Sequence, residues 1–114
     1  MHHTPMKQLT SSEQFNDLLQ KQASFLLFKH SSTCSISGWA CKEVFQAIDE
    51  LESEEVYMLD VLEYADLKYY IQDHTCITHE SPQVIIFVWW KVVAYANHSR
   101  ITKQWILDSM THIW

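Results

Sequence analysis

Glycine is nearly missing from this chain: Gly38 is the single one in 114 residues. Turns therefore fall to Asn, Asp, Ser and His, or to side chains held where glycine is normally used. Positive charge is also scarce. Eight Lys and Arg stand against fourteen Asp and Glu, a net charge of −6 with His neutral, and no basic cluster occurs. Phosphate backbones bind where positive charge is concentrated, so no nucleic-acid partner is expected. No apolar run reaches the length of a bilayer span, so no membrane partner is expected either; the longest, "VIIFVWWKVVAYA", is broken by Lys91. The first residues, "MHHTPMKQLT", lack a basic region ahead of an apolar block, so no secretory leader is read there. Repeats, linkers and low-complexity tracts are absent. So is any C-x-x-C pair, which disfavours dithiol redox chemistry.

Three cysteines are present, Cys34, Cys41 and Cys76. An odd count without framework spacing points to free thiols in a reducing compartment. Hydrophobic residues make up 47%, enough for a packed core and too many for a disordered chain. The length suits one domain over residues 1–114, with residues 1–5 expected to be disordered.

The hydrophobic pattern alternates between two periods. A short extended piece around Met6–Leu9 precedes "TSSEQFNDLLQK", where Thr10 and Glu13 have capping-box spacing and Phe15, Leu18 and Leu19 recur at helical intervals. "SFLLFKH" then reads as a strand buried on both faces. From Ile36 the apolar positions Ala40, Val44, Ala47, Ile48 and Leu51 form a helical stripe. "EVYMLDVL" is a second buried strand, and Leu67, Tyr70, Ile71 and His74 mark a weaker helix. "VIIFVWWKVVAYA" is long enough for two strands joined near Trp89 and Trp90, and "TKQWILDSMTHI" closes the chain as a helix burying Ile106, with Trp105, Ser109 and Met110 beside it. Strands alternating with helices imply right-handed crossovers and a parallel core, with the hairpin added antiparallel at the edge. This is an α/β layout of the thioredoxin-like kind: a central mixed sheet with a C-terminal antiparallel hairpin, flanked by helices.

In that layout Cys34 falls between the end of the central strand and the first turn of the next helix. Unpaired backbone N–H groups and the helix dipole favour thiolate over thiol there. Lys29 and His30 at the strand end can add positive charge, and Ser37 stands three residues on as a hydroxyl donor. Taken alone, a cysteine before a helix is more often inert packing. The second element is "HESPQV", in which Ser81-Pro82 precedes a strand, the place for a cis peptide opposite the cysteine. The residue before that proline offers backbone groups to an extended ligand.

"FKHSSTCSIS" together with "HESPQVIIF" resembles the YtxJ-type monothiol bacilliredoxins, over nearly the whole chain from "KQLTSSEQF" to "HSRITKQW". The resemblance matches Cys34 to the family's active cysteine and His79 to Gln83 to its proline loop. It implies a thiol-disulfide oxidoreductase that removes bacillithiol from protein mixed disulfides in the cytoplasm. Partners would be bacillithiolated proteins and a low-molecular-weight thiol, with bacillithiol as co-substrate and no bound cofactor or metal. Thr33, Ser35 and Ser37 would line one side of the sulfur, and Ser81 and Pro82 the other. Ser99 would meet an anionic group of the ligand, and His79 would either bear a proton near the site or hydrogen-bond within its loop. Cys41 is expected to be a half-buried small residue, seven positions after Cys34 and too far along a helix for a disulfide. Cys76 and His79 have metal-like spacing, but no second pair completes a site.

Three departures stand out. Ser35 replaces the family's proline after the cysteine. Cys76 stands where the family has glycine, so that helix is expected to end differently. Trp89-Trp90 replaces an Asp-Gly turn, giving either an exposed apolar patch or core burial. Two other functions stay open from sequence: an iron–sulfur carrier like the monothiol glutaredoxins, and a redox-silent adaptor binding through the two tryptophans.

Overall fold

A computed structural model describes residues 7–21, 24–31, 35–51, 55–88 and 91–111. Thr33, Cys34, Trp89-Trp90 and residues 1–5 lie outside these. The elements run β1 (Lys7–Gln8), α1 (Ser12–Gln20), β2 (Phe25–His30), α2 (Ser35–Leu51), β3 (Glu55–Asp60), α3 (Ala65–Thr75), β4 (Gln83–Val88), β5 (Lys91–Asn97), a 3-10 turn at His98–Arg100, and α4 (Lys103–Thr111). The strands form one sheet in the order β1-β3-β2-β4-β5. β1, β3 and β2 are parallel; β4 and β5 are antiparallel additions.

Side-chain alternation along β2 sorts the core into two layers. Phe25 and Leu27 pack with Phe15, Leu18 and Leu19 of α1 and Leu67 and Ile71 of α3. Leu26 and Phe28 pack with Ala40, Val44, Ala47 and Ile48 of α2 and Ile106 and Met110 of α4. β2 is buried on both faces because helices cover both, so its run carries no polar alternation. β4 is buried in the same way from Gln83 to Phe87.

A register shift between Ile86 and Phe87 interrupts the β4–β5 pairing. The extra residue reverses parity along β5: Ala94 and Ala96 join the α2/α4 layer, whereas Val92 packs into the α1/α3 layer. The bulge lets the edge strand β5 serve both halves of the core.

Two local expectations are corrected. The cap of α1 is one residue later than Thr10 and Glu13 predict: Ser11 is the N-cap, and its hydroxyl accepts from the Gln14 N–H at 3.1 Å. Gln14 reaches back with its Oε1 to the Thr10 N–H at 2.9 Å. A serine and a glutamine three apart satisfy the open donors as well as the earlier pair would. The second correction concerns Cys76. It does not divert the end of α3; it takes the left-handed conformation itself, φ 61°, and its N–H donates to Gln72 O at 2.9 Å. With one glycine in the chain, the helix closes on a non-glycine residue and bears the steric cost.

Candidate functional site at the prolyl edge of the sheet

The C-terminal ends of β2 and β3 and the start of β4 meet at one edge of the sheet. Lys29 pairs with Gln83 across β2 and β4, and His30 with Asp60 across β2 and β3. Continuing the first register by one step brings Pro82 opposite His30. The Ser81-Pro82 peptide is cis. The Pro82 carbonyl accepts from the His98 N–H at 3.0 Å, which fixes the loop to the end of β5. Cys34 lies outside the described residues, but its place in the chain is bounded: four residues after the end of β2 and one before Ser35, the first residue of α2. Ser35 and Ser37 occupy the first turn of that helix, their side chains beyond what is described.

Of the residues expected to line the site, Ser81 and Pro82 are therefore placed at the edge that β2 approaches. Ser81 Oγ is buried with no hydrogen-bond partner among the described residues. Ser99 lies exposed in the short 3-10 turn, three residues clear of α4. Cys41 is partly buried against the α2/α4 layer, and burial pushes its thiol pKa up. Cys76 is exposed and free.

The loop before the proline is held by a polar network that the sequence did not disclose. Gln72 Oε1 of α3 accepts from the His79 N–H at 2.7 Å. Gln83, fully buried, donates through Nε2 to Thr78 O at 3.1 Å and to Asn97 Oδ1 at 2.9 Å, leaving its Oε1 without a partner among the described residues. Glu80 Oε1 meets His98 Nε2 at 2.8 Å. Lys29 is fully buried, and its Nζ lies 3.5 Å from His79 Nδ1.

Lys29 and His30, both expected to add charge at the strand end, turn to opposite faces of the sheet. His30 stacks on Phe28 in the α2/α4 layer, with ring centroids 5.6 Å apart. Lys29 follows Phe25 and Leu27 into the other layer, next to His79. Burial, then the charge of Lys68, pulls the Lys29 pKa down to about 8. Burial, Lys29 and Lys68 pull His79 down to about 4 against the opposing pull of Glu80. At neutral pH the lysine is mainly charged and the imidazole neutral. The ammonium facing Nδ1 disfavours a proton there, so the ring hydrogen sits on Nε2. The one signal in the sequence is a lysine on the third inward position of an otherwise apolar strand.

A separate open hollow of about 500 Å³ lies between the starts of α1 and α3, lined by Thr10, Ser11, Glu63, Tyr64 and Asp66 among others. None of its lining residues belongs to the prolyl loop or to α2. Among the described residues, no helix is long and apolar enough to cross a membrane.

A family model described as monothiol bacilliredoxin BrxC matches residues 7–106. The chain belongs to that family. A solved structure described as a candidate oxidoreductase with a thioredoxin fold is 30% identical, with a TM-score of 0.86 over 92% of this chain and 93% of the other. Thioredoxin from Trypanosoma brucei brucei aligns with a TM-score of 0.81 at 12% identity, over 98% of this chain and 93% of the other. Mitochondrial thioredoxin 3 from Saccharomyces cerevisiae aligns at 0.77 and 11%, over 94% of each chain. The last two likenesses establish the fold, which is thioredoxin-like. This bacilliredoxin-family chain thus carries the fold of redox proteins on a sequence without a C-x-x-C pair.

Proposed function

We propose that this protein is a monothiol thiol-disulfide oxidoreductase that removes bacillithiol from protein mixed disulfides through Cys34. The reading rests on one relationship: β2, which leads into Cys34, is registered against the strand that starts at the prolyl loop, Lys29 opposite Gln83. Family membership supplies the chemistry expected at such a junction.

The exchange balances without an external oxidant. Cys34 thiolate attacks the bacillithiol sulfur, the protein–bacillithiol disulfide breaks, and the protein leaves as a thiolate that takes a proton from solvent. Bacillithiol is now disulfide-bonded to Cys34. A second free thiol attacks that disulfide, leaving as a small-molecule disulfide and restoring the Cys34 thiolate. Thr33, Ser35 and Ser37 are assigned to binding the small thiol, together with Ser81 and Pro82 of the prolyl loop. The setting is the cytoplasm, where thiols stay reduced.

Incubation with a bacillithiolated substrate, followed by intact-mass analysis, tests this. The mass of bacillithiol should appear on the wild-type chain and not on Cys34→Ser. Absence of transfer to the wild type would reject the function.

A further inference from the structure

We propose that His79 and Lys68, backed by the buried Lys29, form a receptor for a carboxylate on the small-molecule half of the mixed disulfide. The inference rests on the exchange reaction proposed above and names the ligand chemistry that its site prefers.

Three nitrogen groups gather on one side of the prolyl edge. Lys29 comes from β2, five residues before Cys34. His79 comes from the loop, two residues before Ser81. Lys68 comes from α3, one turn ahead of Gln72, whose side chain holds the His79 N–H. Lys68 is close enough to lower the proton affinity of both others. Among the described residues no carboxylate lies within ion-pair distance of Lys29, although it is fully buried. The adjacent acid, Glu80, is engaged by His98. Burying an ammonium without a counter-charge is costly, and a fold that does so is stabilised when an anion arrives.

The geometry suits an anion at the His79 and Lys68 surface. Both residues are partly exposed, whereas Lys29 is sealed behind them. Lys29 occupies the Nδ1 side of the ring at 3.5 Å, so the Nε2–H is free to donate. Lys68 rests over the Tyr69 ring at 5.1 Å, a weak hold for an ammonium that could turn to a ligand. One imidazole N–H and one ammonium can meet the two oxygens of a carboxylate. Lys29 serves as the fixed charge beneath the pair.

The test uses the full chain and one carrier protein capped with two thiols of equal length, mercaptopropionate (anionic) and cysteamine (cationic). The wild type should remove the anionic cap with a kcat/KM about tenfold higher. In Lys68→Ala, and in Lys29→Met if circular dichroism shows it folded, that preference should fall toward unity. Equal removal of both caps by the wild type overturns the receptor while leaving the exchange reaction intact. If neither cap is transferred to Cys34, the exchange reaction itself has failed. An independent reading then decides the receptor: His79 ring resonances of Cys34→Ser during titration with mercaptopropionate. A saturable response with an upward shift in the His79 pKa, absent with cysteamine, supports it. No response, or an equal one to both thiols, overturns it.

Discussion

Lys29 and His79 meet 3.5 Å apart, nitrogen to nitrogen, behind a loop that closes on a proline. At that distance the contact is long for a hydrogen bond, so the two act on one another mainly through charge. Burial lowers the proton affinity of each; Lys29 lowers that of His79 further, and Lys68 lowers both. The pair also ties the end of β2 to the segment preceding β4, although those segments are about fifty residues apart in the chain. A purely apolar contact would pack there more cheaply. The retention of a buried cation at this place is what motivates a role for it beyond packing.

Removing the cation should stabilise the fold. Lys29 titrates near 8 in the folded chain and near 10.5 when unfolded. The unfolded state therefore binds more protons between those values, and stability rises with pH across that window. Below pH 8 the penalty is fully present. Lys29→Met, which keeps the length and loses the charge, is expected to gain ~1–3 kcal/mol at pH 7 in urea unfolding. The gain should shrink above pH 8, and a net loss at pH 7 would show that the ammonium has a stabilising partner.

His79 should make the fold acid-sensitive. Its pKa falls from 6.5 to about 4 on folding, so between these values the unfolded chain takes up a proton that the folded chain refuses. Stability should therefore fall as pH drops from about 6.5 to 4. Because the ring is partly exposed, the contribution is discounted to about 1–2 kcal/mol. The difference between wild type and His79→Gln isolates it from other acids. Parallel pH curves for the two proteins would contradict the shift.

Cys76→Gly should raise stability. The cysteine side chain is exposed, so little packing is lost, while its φ of 61° suits glycine. The expected gain is ~0.5–1 kcal/mol, reduced by the extra freedom of glycine in the unfolded chain. Thermal or urea unfolding measures it directly.

Ser35→Pro should fold normally and raise the Cys34 pKa. Ser35 is the first residue of α2, where a backbone N–H has no intrahelical partner and proline is accommodated. Proline removes that donor and the hydroxyl, leaving less to stabilise a neighbouring thiolate. The Cys34 titration is expected to move upward. Thiolate ultraviolet absorbance, followed in a background carrying Cys41→Ser and Cys76→Ser, checks it; superimposable titrations would remove the idea.

Much of this was legible beforehand because local periodicity is set by which face of each element must be apolar. The stripe at Ala40, Val44, Ala47 and Ile48 announced α2, and the apolar runs announced β2, covered on both sides, and β3. Details that depend on one residue of offset were less legible. Ser11 rather than Thr10 caps α1: two adjacent hydroxyls compete for one role, and the local pattern reads either as the cap.

The sequence by itself determined the order of elements, the junction at which Cys34 stands, and the proline that opens β4. Those follow from hydrophobic period and from the few residues able to break it. Only the tertiary structure decided that Lys29 turns into the α1/α3 layer, that Gln83 and Asn97 share its row, and that His79 and Lys68 come to it from distant segments. Strand register and layer assignment are non-local quantities. They are fixed when separate strands pair and helices choose a face, and no window of neighbouring residues contains them.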